Sequence, residues 1–137
     1  MTAVIDASAL VAFCLNESGL DRKKLQEHLR NGVLSFELIR AESANAILVA
    51  RRRGIVDEKT AKLGLANMLD ISENNIKMMA QDDELISVAF DMAGSNNLAI
   101  YDLLYLSLAK KNNALLLSKD ENQTKLAMSL GIGVGGV

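Results

Sequence analysis

Short runs of apolar residues alternate along this chain with segments in which apolar side chains recur every third or fourth position. The first pattern predicts buried strands and the second amphipathic helices. Residues 2–5 read as a strand, followed by a helix over about 9–16 that stops at the Glu17-Ser18-Gly19 turn. A polar helix over about 21–30, a turn at Asn31-Gly32 and a strand at 33–35 come next. From Phe36 the spacing of Leu38, Ile39, Ala46 and Val49 has a helical period up to Arg53, and Gly54 is the expected stop. Asp57, with Glu58 in the first turn, predicts a helix through about residue 69. A weaker strand pattern covers 76–79, and Asp82 or Asp83 caps a helix that ends in the loop Gly94-Ser95-Asn96-Asn97. The remainder reads as helix 100–112, strand 114–118, helix 121–130 and a glycine-rich terminal strand over 131–137. Apolar strands alternating repeatedly with helices specify an α/β fold whose parallel sheet is covered on both faces. No internal repeat, linker or low-complexity tract interrupts the pattern, so residues 1–137 are expected to form a single domain.

Four acids break this pattern. Asp6, Glu42, Asp102 and Asp120 each stand in or directly after an apolar stretch, in four widely separated segments. Asp6 and Asp120 follow strand runs and precede helices, which puts both at carboxyl ends of strands, the edge where open α/β sheets bind ligands. Glu42 has Leu38, Ile39 and Ala46 as its helical neighbours and points toward the core. Asp102 sits in the first turn of its helix, between Leu98 and Leu106. Singly, Asp6 and Asp120 have an ordinary alternative as helix caps, and Asp102 as a complement to a helix dipole. Glu42 has none, because a carboxylate buried without a partner costs several kcal/mol. Gathered together, the four make an acidic pocket whose natural occupant is a hard divalent cation held by oxygen, Mg²⁺ or Mn²⁺.

The segments that carry these acids are Val4-Ile5-Asp6-Ala7-Ser8-Ala9-Leu10, Ala41-Glu42-Ser43-Ala44-Asn45, Tyr101 through Ala109 with Asp102 second, and Leu116-Leu117-Ser118-Lys119-Asp120. In that order they resemble the four motifs of PIN-domain nucleases, whose small single-domain members include the VapC-type toxins of toxin–antitoxin pairs. The resemblance implies a three-layer α/β/α Rossmann-like sandwich with a central parallel sheet. It implies a metal-dependent endoribonuclease that acts on RNA, and a homodimer restrained by a small antitoxin protein. Asp6, Glu42, Asp102 and Asp120 match the family's catalytic and metal-binding acids. Ser8 and Ser118 match the hydroxyl positions beside the first and last acids, and Asn45 a polar position one turn after the helical acid, as supporting or phosphate contacts. Two positions depart from the family pattern. Ala99 stands where Ser or Thr is frequent, three residues before the third acid, and Gln123 stands where an apolar residue is more usual.

Composition narrows the chemistry further. With 50% hydrophobic and 23% charged residues over 137 positions, the chain is a globular protein. Its formal net charge of -2 excludes a general nucleic-acid-coating field but leaves room for local contacts. Candidates for such substrate contacts are Lys119, beside Asp120, and Arg51 in the run Arg51-Arg52-Arg53, whose ordinary role is to complement a helix carboxyl end. His28 is the sole histidine and lies in a charged helix, so ribonucleases built on paired histidines are excluded. Cys14, the one cysteine, makes no internal disulfide and reads as a core residue. No GxxxxGK phosphate loop is present. A dehalogenase-type phosphatase needs a second acid two residues after the first, where Ser8 stands, and a receiver-type domain needs an acidic pair where Asp6 stands alone. A PIN-like binding module without catalysis, or another Mg²⁺-dependent phosphoryl hydrolase, stays open as the alternative. No run is long enough to span a membrane and no charged leader precedes the first apolar run, so a cytoplasmic protein is expected. The surplus of apolar residues in the second and third helical regions and over 63–69 is expected to serve a second subunit and an antitoxin helix. Hydrolysis without a covalent intermediate is the expected reaction.

Overall fold

Ala3–Ile5 form strand β1, and all three residues are buried because helices cover the strand on both sides. The computed structural model describes residues 2–94 and 96–137. In chain order β1 is followed by α1 (Ala7–Cys14), α2 (Arg22–Asn31), β2 (Val33–Phe36), α3 (Leu38–Arg52), α4 (Glu58–Asn74), β3 (Ile76–Met79), α5 (Asp83–Ala93), α6 (Ile100–Lys111), β4 (Leu115–Leu117) and α7 (Glu121–Ser129). The strands make one sheet in the order β3-β2-β1-β4, and every pair is parallel. Residue pairs Ala3–Leu115, Val4–Leu116 and Ile5–Leu117 set the register at the centre.

Successive side chains of a strand point to opposite faces, and the core divides accordingly. Ala3, Ile5 and Leu117 pack into one apolar layer with residues of α1 to α4. Val4 and Leu116 pack into the other with residues of α5, α6 and α7. The result is a three-layer α/β/α Rossmann-like sandwich around a parallel sheet. Helix α6 is buried without a break from Leu103 to Ala109, which places it in the middle of its layer, against α5, β1 and β4.

Several boundaries differ from the sequence expectation. Helix α1 begins at Ala7, two residues early, because Asp6 caps it. Phe36 closes β2 instead of opening α3. Helix α4 continues past residue 69 to Asn74, since Ala61, Gly64, Met68 and Ser72 extend one buried stripe and the Ser72 hydroxyl donates to the Met68 carbonyl at 2.7 Å. The glycine-rich terminus is not a strand of any length: among the described residues it contributes a single bridge, Val134 beside Leu116. Gly135 fits there because a Cβ would stand 2.5 Å from the Leu117 side chain. The loop expected over 94–97 includes Ser95, which lies outside the described residues.

Candidate active site

Parallel strands carry their carboxyl ends to one edge, so Asp6 after β1 and Ser118-Lys119-Asp120 after β4 emerge side by side. The pairing persists one residue beyond the strands, where the Asp6 N–H donates to the Leu117 carbonyl at 3.1 Å. Helix α3 follows β2, the other neighbour of β1, and brings Glu42 to the same edge; α6 brings Asp102. All four acids line one cavity of about 370 Å³, together with Ala7, Ser8, Val11, Glu17, Ala46, Tyr105, Lys119 and Gln123.

Asp6 is the most deeply held, only 3% exposed. Its Oδ1 accepts from the Ala9 N–H at 3.0 Å and the Ser8 hydroxyl at 2.7 Å, and its Oδ2 from the Ser118 hydroxyl. Capping and cavity lining are therefore not alternatives for this side chain, which does both. Asp120 does likewise: its Oδ1 accepts from the Gln123 N–H at 3.0 Å and caps α7. Ser8 and Ser118 also tie the two turns together, since the Lys119 N–H donates to Ser8 Oγ at 2.8 Å and the Asp120 N–H to Ser118 Oγ at 3.1 Å. Glu42 is half-buried and its Oε1 accepts from the Tyr105 hydroxyl at 2.7 Å.

Burial pushes the Asp6 carboxyl up to about 6, against the pull of Ser118, Ala9 and Ser8 and with a push from the Asp120 charge. Glu42 is raised by burial and by the Asp102 charge, with Tyr105 opposing. Asp102 is raised by burial and then by Asp120. Burial is the shared and largest cause, and among the described residues no basic side chain lies within ion-pair distance of any of the four acids to offset it. The donor set is all oxygen, which suits a hard dication. The acids share a cavity without forming a ready cage: among the described residues no three acidic, imidazole or thiol groups stand close enough together to grip an ion as they are. Like charges spread apart, and protein donors already hold an oxygen of Asp6, Glu42 and Asp120.

The remaining sequence candidates separate. Ser8 and Ser118 are on the cavity and bonded to Asp6. Lys119 lines it, with its Nζ donating to the Gly19 carbonyl at 3.1 Å. Asn45 is exposed and off the cavity wall; at about 100° per residue it sits about 60° from Glu42 around α3, whereas Ala46 sits about 40° away and takes the wall position. Arg51 lies elsewhere, in a groove between α3 and α4, 3.4 Å from Glu58. Cys14 is buried, and burial pushes its thiol up to about 12, which suits a core residue. Tyr105 and Glu17 were not singled out from the sequence, and Gln123 was noted only as a departure from the family pattern. Tyr105 had a signal, being one turn from Asp102 on an otherwise apolar helix. Gln123, 1% exposed, donates to the Asp102 carbonyl at 3.3 Å and so links α7 to α6.

Residues 3–128 match the family model described as PIN domain. The chain is 28% identical over 122 residues to Ribonuclease VapC3 of Pyrobaculum aerophilum, covering 88% of this chain and 90% of that protein. Among solved structures it resembles PAE2754 of Pyrobaculum aerophilum, with a TM-score of 0.68, 24% identity, and 92% and 86% of the two chains covered. It also resembles Mycobacterium tuberculosis VapC20, described as a sarcin-ricin loop cleaving toxin, with a TM-score of 0.62, 11% identity, and 90% and 94% covered. At these identities the structural likenesses establish the fold.

Proposed function

The chain belongs to the PIN domain family, and from that premise we propose that it is a metal-dependent endoribonuclease, the toxin member of a toxin–antitoxin pair. The observation that carries this reading is the single acidic cavity at the carboxyl edge of the sheet, lined by Asp6, Glu42, Asp102 and Asp120. The names borne by its relatives, a ribonuclease and an RNA-cleaving toxin, support it.

Asp6, Glu42, Asp102 and Asp120 would hold Mg²⁺ or Mn²⁺ through oxygen. A bound divalent ion supplies Lewis-acid polarisation of the phosphodiester and an acidified water as nucleophile. The protein's own part is positional. Ser8 and Ser118 fix both oxygens of Asp6 in one orientation, and Asp120 is locked by its cap to α7. Lys119 brings a cation to the cavity wall, where a phosphate of the substrate would meet it. Exposed apolar side chains offer surfaces for protein partners: Leu63, Leu65 and Leu69 on α4, and Ile86 and Phe90 on α5. These support a homodimer and a bound antitoxin helix. Among the described residues no helix is long and apolar enough to cross a membrane.

The test is cleavage of structured and single-stranded RNA with Mg²⁺, Mn²⁺ or EDTA, for the wild type, Asp6→Asn and Asp102→Asn. Loss of a charge-stabilising ligand worth several kcal/mol should slow cleavage by roughly a hundredfold or more, and EDTA should abolish it. Equal rates in all three proteins would sink the assignment, and no cleavage by the wild type would leave a PIN-like binding module.

A further inference from the structure

Besides Gln123, the cavity wall holds one other almost fully buried polar side chain that is not an acid. Tyr105 is 1% exposed, its ring packs at 53° to Phe36 with centroids 6.0 Å apart, and its hydroxyl reaches out of the apolar layer to Glu42 Oε1 at 2.7 Å. A buried phenol needs a partner, but this one spans two helices: α6, which also carries Asp102 one turn earlier, and α3, which carries Glu42. It is the direct side-chain hydrogen bond between those helices among the described residues. Among the described residues no protein donor reaches Glu42 Oε2, the atom is not fully buried, and Glu42 lines the cavity. One oxygen is fixed and the other is presented.

We propose that Tyr105 is a positioning residue, whose hydroxyl orients the Glu42 carboxylate so that Oε2 serves as a single-oxygen ligand to the divalent cation. The inference rests on the reading of the cavity as a metal site. It adds a residue outside the acidic quartet, with a role that the phenol performs through Glu42 and never by touching the ion. Phe cannot replace it, although Phe would fill the same apolar space against Phe36. Orientation of a ligand by a hydrogen bond of this kind commonly changes metal affinity ten- to a hundredfold.

Mn²⁺ binding followed by electron paramagnetic resonance tests it, with wild type, Tyr105→Phe, Glu42→Gln and the double variant, each first checked for native circular dichroism. The expected result is a Kd about ten- to a hundredfold weaker in Tyr105→Phe, and no further weakening when Tyr105→Phe is added to Glu42→Gln. Wild-type affinity in Tyr105→Phe overturns the proposal alone. No Mn²⁺ bound by the wild type overturns the metal-site reading and this inference with it. A second measurement avoids altering Tyr105. The chain has two tyrosines and no tryptophan, so in Tyr101→Phe the near-ultraviolet absorption reports Tyr105 alone. A saturable change on titration with Mg²⁺, absent when Glu42→Gln is added, supports the proposal; an unchanged spectrum at saturating Mg²⁺ overturns it.

Discussion

The Ser118 hydroxyl donates to Oδ2 of Asp6, joining side chains 112 positions apart in the sequence. The same hydroxyl oxygen accepts the Asp120 N–H at 3.1 Å, so one small side chain serves two of the four acids. Ser118 is buried, and its removal strands a donor and an acceptor together. Ser118→Ala is expected to lower stability by about 1–3 kcal/mol, measured by urea denaturation. A change below about 0.5 kcal/mol, within the range of an ordinary surface substitution, would show that this bond does not hold the two turns.

Acid should stabilise the protein when EDTA is present. The folded value of about 6 for Asp6 lies above its ordinary 3.8, so the folded state binds the proton more tightly than the unfolded chain does. Stability from this group is complete below about pH 4 and is lost as pH rises through about 6. Two units correspond to roughly 3 kcal/mol, and Glu42 and Asp102 are shifted in the same direction. Other groups titrate as well, so the informative quantity is wild type minus Asp6→Asn: that difference in unfolding free energy should fall between pH 4 and pH 7. A difference independent of pH would contradict the burial argument.

Gln123 offers a contrast between shape and charge. Its amide sits buried against the Asp102 carbonyl, an acceptor that the helix backbone also serves. Gln123→Leu keeps the volume and should shift stability by less than about 1.5 kcal/mol. Gln123→Glu adds a buried charge to a cavity already short of cations, and should cost roughly 3 kcal/mol or more at neutral pH. Thermal unfolding of the two variants side by side checks this; equal losses would mean that charge at this position is solvated.

Helix α6 starts without a side-chain cap. Ala99 has the extended backbone of an N-cap, φ -68° and ψ 154°, but no side-chain oxygen to accept an N–H. Ala99→Ser should therefore stabilise the protein by about 1 kcal/mol, seen as a higher urea midpoint with an unchanged denaturant slope. An unchanged midpoint would mean that the free N–H groups of this exposed turn are already well served by water.

The acids were legible because each violates a local rule. A carboxylate directly after Val4-Ile5, three positions after Leu117, or on the apolar stripe of α3, is visible with no knowledge of the fold. Parallel strand order then supplies convergence, since β1 and β4 are neighbours with matching register. Tyr105 broke no local rule: a tyrosine in an apolar helix reads as core, and what makes it part of the cavity is a carboxylate 63 positions away. Asn45 shows the converse, a residue picked out by its motif position that lies exposed and off the cavity wall, where Ala46 stands instead. The length of α4 followed from burial of its own Met68 and Ser72 against the core, and the fate of the terminal glycines from a neighbour, the Leu117 side chain.

The central pairing of β1 with β4 has a bearing on synthesis. β1 is translated 112 residues ahead of its partner, Ala3 pairing with Leu115. Until then Asp6 has neither the Ser118 hydroxyl nor the neighbouring Asp120, and the pocket has no far wall. A growing polypeptide thus carries Asp6 unarmed, and the four-acid cavity cannot assemble on the nascent chain before Asp120 has been made.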